Sequence, residues 1–336
     1  METPIQRKRF LAQDLLKQNP PHFHHPNKAL IYELACPAEC VHRGALEYSR
    51  WGAMALPERF AADAHALRVE VRPGVFTYED SPAVAGCALH WHLNFACSEL
   101  FCAYGGSLMA QDELQVAEHP ALAALREALQ ALRLPALTVD REGPTPILIA
   151  GAERRCAIDT SSRSAAGMPG GIYGHAFAGA SSSRIRAAVR PIEPPTVSNI
   201  LAMEAPPGGS GVYRQSHIDD ILTTAWSGFR ATVLETRRMC GESASAVLHT
   251  GFWGCGAYGG NRELMSLLQL FAALLADVKV IVFHTVTPAG VAPFEAGKRV
   301  LDKLLEEAQS TGEGNTADWI RRIVGMRYPW GESNGT

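Results

Sequence analysis

The stretch Gly251-Phe252-Trp253-Gly254-Cys255-Gly256-Ala257-Tyr258-Gly259-Gly260-Asn261 limits the folds open to this chain more than any other. An apolar run, Ala246 to Thr250, precedes it. Leu264, Leu267, Leu268, Phe271, Leu274 and Leu275 follow at helical spacing, so the order is strand, glycine loop, helix. Five glycines in ten residues let the backbone take positive φ and bring several amides against a ligand with no Cβ in the way. At a helix N-terminus such a loop cradles anions. No Gly-Lys-Ser/Thr follows, which excludes a Walker loop, and the G-x-G-x-x-G fingerprint with its later acid is absent. On spacing alone, a glycine-rich turn that binds nothing competes evenly with the cradle.

A chain of 336 residues, 47% hydrophobic, can bury one large core or two smaller ones, and a net charge of -3 offers nucleic acid no bulk attraction. The N-terminus lacks a secretory apolar stretch, and neither a polybasic run nor a span of about 18 apolar residues occurs. No nucleic-acid or membrane partner is therefore expected, and a cytoplasmic location is, with delivery into another cell by other signals left open. The cysteines (Cys36, Cys40, Cys87, Cys97, Cys102, Cys156, Cys240, Cys255) are irregularly spaced and read as reduced thiols. Cys36-x-x-x-Cys40 with His42, and His24 and His25 nearby, offers zinc-type ligands. The spacing matches no ribbon or finger and no second ligand pair follows, so neither a metal nor a cofactor is expected. His90 and His92 share a strand face without a matching carboxylate, and read as packed or exposed side chains.

Along the chain, prolines between Asn19 and Pro26 forbid a continuous helix, and helical patterning returns from Arg43 to about Phe60. Arg68 to Val75 reads as a short strand. Val84 to Ala96 reads as a central strand and His119 to Leu132 as a helical run, and Asp112 and Glu113 ahead of it read, on the residues alone, as acids at a helix start. Ser164 to Gly174, with the serines and arginine at 181–184, reads as a long flexible insertion, either a lid or a mobile surface loop. Helices are expected over Phe294–Gln309 and Asp318–Met326, and a fraying tail from Trp330.

The string from Gly251 to Gly260 is similar to the second phosphate loop of the poly(ADP-ribose) glycohydrolase family, whose members carry a macrodomain fold. Pro146 to Arg154, ending in Gly-Ala-Glu-Arg, and Asn199 to Ala205 resemble that family's strands. The helix from Gln215 and the run Val278 to Phe283 extend the likeness over about residues 84 to 285. Gln111-Asp112-Glu113 is similar to its Gln-Glu-Glu signature. The resemblance implies an α/β fold with a mixed sheet between helices. It divides the chain into a mainly helical accessory region (1–83), a macrodomain (84–290), and C-terminal helices with a tail (291–336). It also implies hydrolysis at the anomeric carbon of the distal ribose, with Glu113 catalytic and Asp112 on the ribose hydroxyls. Gln111, Asn94, Gly254, Cys255, Gly256, Ala257, Tyr258, Gly259 and Gly260 would bind the ADP-ribose moiety of a modified protein. The departures are Asn94 and Cys97 at the strand end, an altered first loop (Phe101-Cys102-Ala103 or Tyr104-Gly105-Gly106), and the absence of the family's tyrosines after Arg154. They point to mono-ADP-ribose, with arginine linkage as a specific hypothesis, because paired ionised acids suit a leaving group that stays cationic. A reader that binds without turnover and a hydrolase of poly(ADP-ribose) chains are the alternatives. Neighbouring acids in a closed cleft repel, which raises the pKa of at least one towards neutrality.

Overall fold

A computed structural model describes residues 2–61, 67–78, 84, 86–162, 170–308 and 312–335. The first elements are β1 (Gln6–Leu11), α1 (Ala12–Gln18), α2 (Pro26–Ala35), β2 (Ala45–Arg50), β3 (Arg59–Ala61), β4 (Arg68–Arg72) and β5 (Ala88–Ala96). Then come α3 (Gln111–Glu118), α4 (Pro120–Ala131), β6 (Val139–Asp140), β7 (Gly143–Pro144), β8 (Ile147–Ile158), α5 (Ser182–Ala188), β9 (Val189–Glu204) and α6 (Gln215–Cys240). The chain finishes with β10 (Ser245–Gly251), α7 (Arg262–Leu275), β11 (Val280–His284), α8 (Val291–Ala308), β12 (Glu313–Asn315) and α9 (Thr316–Gly325).

Eight strands form one mixed sheet in the order β1-β2-β8-β9-β5-β10-β11-β4. The pairs from β9 through β5, β10 and β11 to β4 are parallel, and those from β1 to β9 antiparallel. Alternation along the inner strands feeds two layers. Trp91, Leu93, Leu148, Leu201 and Met203 face α6 and α7, whereas Ile147, Ile149, Ile200 and Ala202 face α1 and α4. A fully buried leucine or isoleucine in either layer contributes about 1.5–3 kcal/mol. Among the described residues, no helix is long and apolar enough to cross a membrane.

The mixed sheet between helices and the strand, glycine loop, helix order at residues 245–275 agree with expectation. The first 83 residues do not form a mainly helical accessory layer, because β1, β2 and β4 are strands of the same sheet. Arg43 to Phe60 holds β2 in place of a helix: Leu46 and Tyr48 are buried at period two, and β8 supplies the pairing partner. Ser182–Ala188 is a helix capped by the Ser181 hydroxyl, although a structureless insertion was expected there. Residues 163–169, the core of the suggested lid, lie outside the described residues. The C-terminal tail is not frayed at its start. Trp330 stacks on Tyr213 with centroids 3.9 Å apart, and Asn334 N–H donates to the Gly256 carbonyl at 3.3 Å.

Candidate active site

Because β9, β5 and β10 run parallel, their C-terminal ends, Glu204, Ala96 and Gly251, lie on one edge of the sheet. That is the edge where open α/β sheets place ligands. Two helix starts converge there, α7 behind the glycine loop and α3 with its acids.

The glycine loop is built from its own hydrogen bonds. Gly260 N–H donates to Gly254 O (2.9 Å), Gly259 N–H to Gly256 O (3.1 Å) and Cys255 N–H to Phe252 O (3.0 Å). Among the described residues, the N–H groups of Gly254, Gly256, Ala257 and Tyr258 have no such partner. Of the expected ligand-binding residues 254 to 260, then, only these four offer an amide. Cys255, Gly259 and Gly260 use theirs to hold the loop. The Cys255 side chain is also turned inward and buried. Gly254 has φ +75°, and a Cβ there would stand 2.6 Å from Ala205 Cβ, so glycine is required on both counts. Trp253 anchors the loop from beneath, fully buried with its indole N–H on Met203 O at 3.1 Å. Asn261 caps α7 by accepting from Leu264 N–H at 3.1 Å. The Tyr258 hydroxyl reaches across to Glu204 Oε1 at 2.6 Å.

Asp112 and Glu113 lie in the first turn of α3, and both are buried. Glu113 Oε2 accepts from Ala110 N–H at 2.9 Å, the backward half of a capping box. Asn94 Nδ2 donates to Asp112 Oδ1 at 3.0 Å, which ties the helix to the end of β5. Burial, and next the charge of Glu113, pushes the Asp112 carboxyl up to about 8, against the pull of the Asn94 hydrogen bond. Two residues expected to bind ligand also hold the fold at this point. Asn94 is fully buried behind Asp112, and Gln111 clips α3 onto β5 by accepting from Phe95 N–H (2.7 Å) and donating to Leu93 O (3.0 Å).

Lys28, on α2, is a site residue that sequence reasoning missed. It is 2% exposed, and among the described residues its Nζ has no hydrogen-bond partner. Burial lowers its pKa to about 8 while the charges of Glu113 and Asp112 pull it back up, so the ammonium lies within their field. A signal was present: Lys28 shares the inward helix face with Ile31 and Ala35, where a lone cation has to be explained. Tyr173 is the second omission. Burial and then the charge of Glu113 raise its pKa, which puts its phenol beside the start of α3, and its neighbour Gly174 pairs with Met109 in an isolated antiparallel bridge. An aromatic ring thus reaches the acids from a direction other than the segment after Arg154, which continues as strand to Ile158.

The altered first loop divides in two. Gly105 belongs to the N-terminal segment: its carbonyl accepts from His24 and His25 N–H, and a Cβ on it would stand 2.4 Å from His22 O. Cys97 and Cys102 are the part beside the acids, with their sulfurs 3.0 Å apart. The Cys97 thiol pKa is raised by its hydrogen bond with Cys102 and by burial, then by the charges of Asp112 and Glu204, so this pair lies within the field of both carboxyls. His90 and His92 share one face of β5. His90 Nδ1 stands 3.0 Å from His249 Nε2, and His92 stacks between Tyr78 and His249, so both pack against aromatic rings.

Residues 173–291 match the family model described as poly(ADP-ribose) glycohydrolase (PARG), macro domain fold. Over that stretch, about a third of the chain, the sequence is similar to the PARG macrodomain family. Solved structures similar to this chain include the poly(ADP-ribose) glycohydrolase of Thermomonospora curvata bound to the inhibitor ADP-HPD, 16% identical, covering 82% of this chain and 98% of that one with a TM-score of 0.42. Another is the enzyme of Deinococcus radiodurans in complex with ADP-ribose, 13% identical, covering 89% and 95% with a TM-score of 0.39. The stretch that matches the PARG model begins at Tyr173 and takes in the glycine loop. Asp112, Glu113 and Lys28 lie before the matched stretch.

The buried acid gives a stability prediction. Between pH 4 and 8 the unfolded chain has released the Asp112 proton and the folded one retains it, so stability falls as pH rises, by up to ~1.4 kcal/mol per pH unit. Asp112→Asn removes that slope. Urea midpoints of the variant are expected to exceed those of the wild type at pH 7.5 and to converge with them at pH 4. A gap that does not change with pH would contradict the burial account. Lys28, with its lowered pKa, acts in the opposite sense above pH 8, so the comparison stays below that value.

Proposed function

We propose that the protein is an ADP-ribosyl hydrolase that releases ADP-ribose from modified proteins by cleaving the bond at the anomeric carbon of the distal ribose. The observation that carries this reading is the meeting of unused loop amides and two buried acids on one sheet edge. The amides of Gly254, Gly256, Ala257 and Tyr258 hold the diphosphate, as helix starts hold anions. Glu113 is the catalytic carboxyl and Asp112, held largely protonated, contacts the ribose hydroxyls. Tyr173 offers a face for stacking, and the Lys28 ammonium lies in the field of both acids.

Mono-ADP-ribose on a side chain is the proposed substrate, because the Cys97–Cys102 segment puts side chains where an unbroken triple glycine would admit a polymer's phosphates. Arginine linkage is disfavoured by a largely protonated Asp112 and by Lys28, whose cation repels a guanidinium leaving group. A panel of arginine-, serine- and glutamate-linked mono-ADP-ribosyl peptides and of poly(ADP-ribose), treated with wild type and Glu113→Gln, decides the matter. Release from at least one mono-linked peptide, lost in the variant, is expected. Cleavage of chains alone points to a poly(ADP-ribose) hydrolase. Tight ADP-ribose binding in calorimetry without release from any substrate leaves a reader.

A further inference from the structure

We propose that Cys36, Cys40 and His42 form a zinc site. Their ligand atoms lie within 4.8 Å of one another, and among the described residues they are the one group of this kind. The fold brings them together within seven residues. Cys36 caps the C-terminus of α2, a turn closed by Cys40 N–H on Pro37 O (2.8 Å) folds the second thiol back, and His42 is fixed through its own N–H on the Gln13 side chain at 2.8 Å.

Cys40 Sγ stands 3.4 Å from His42 Nε2. A tetrahedral zinc with sulfur at ~2.3 Å and nitrogen at ~2.0 Å sets ligand edges of about 3.5–3.8 Å, so small movements of the side chains suffice. The other ring nitrogen, Nδ1, faces Glu153 Oε2 at 3.4 Å. Nδ1 makes no hydrogen bond among the described residues, and a small turn of the ring brings it onto that carboxylate, which fixes the tautomer and leaves the Nε2 lone pair for the metal, the arrangement that metal-binding histidines usually have. Glu153 is itself held by Arg155 Nε (3.0 Å) and by Arg43 N–H (2.9 Å), and Arg155 also donates to Val41 O on the same loop. With zinc bound, two thiol protons leave, and the charges of the ion, two thiolates, Glu153 and Arg155 cancel, which lets the cluster stay buried. Three protein ligands leave the fourth position to water. The sequence argued against zinc because it shows no second ligand pair. The second contribution comes from β8 through Glu153, which is distant in sequence.

The test is metal analysis of the reduced full-length protein. About one equivalent of zinc is expected after dialysis against a zinc-containing buffer. Cobalt substitution should give thiolate-to-cobalt charge transfer and intense tetrahedral visible bands. Cys36→Ser/Cys40→Ser should lose the equivalent, and Glu153→Gln should weaken binding by about 10–100-fold. Should the buried Cys36 variant fail to fold, the partly exposed Cys40→Ser and the cobalt spectrum of the wild type still decide. Reduced, folded protein that takes up no metal, a cobalt spectrum without sulfur ligation, or a double variant that keeps its zinc overturns the proposal.

Discussion

Glu113→Gln is expected to lower the rate of ADP-ribose release by about 10²–10⁴-fold, the range that a positioned proton-transfer group supplies. The replacement is close to isosteric. Its amide oxygen can still accept from Ala110 N–H, so the start of α3 is retained and the melting temperature should move little. KM should stay within a few-fold, because the diphosphate contacts come from the glycine loop. The comparison with Asp112→Asn is informative. Burial keeps Asp112 protonated near neutral pH, which would also equip it to donate a proton. If Asp112→Asn abolishes turnover and Glu113→Gln does not, the proposed roles are exchanged. If neither variant moves the rate, the acids are structural and the catalytic account is lost.

Gly254→Val should remove measurable ADP-ribose binding and destabilise the fold by about 2–5 kcal/mol, from positive-φ strain together with overpacking. The added Cβ would stand 2.6 Å from Ala205 Cβ, and the valine would have to sit at φ +75°. Relief requires moving the backbone that turns the unused amides outward. Gly179→Ala is the control, since nothing lies within 4 Å of a Cβ there and its φ is ordinary. Calorimetric titration with ADP-ribose and thermal melts of both variants check this. Undiminished binding by a folded Gly254→Val protein would exclude the loop as the anion cradle.

The sequence by itself determined the elements that depend on local chemistry. Positive φ and close backbone approach demand glycine at the turn after β10, and the apolar period from Leu264 onward demands a helix behind it. The opening of α3 was legible for the same reason, because acids favour the positive end of a helix. Tertiary structure alone decided what depends on partners distant in the chain. Whether Leu46 and Tyr48 belong to a strand or a helix was settled by pairing with β8, about a hundred positions on. Lys28 became a site residue only when α2 packed beside α3, and Tyr173 only when Gly174 paired with Met109. Cys36, Cys40 and His42 make a credible metal cluster only with Glu153 behind the imidazole. Local backbone requirements are written residue by residue, whereas the field around a buried charge is set by every segment that the fold brings against it.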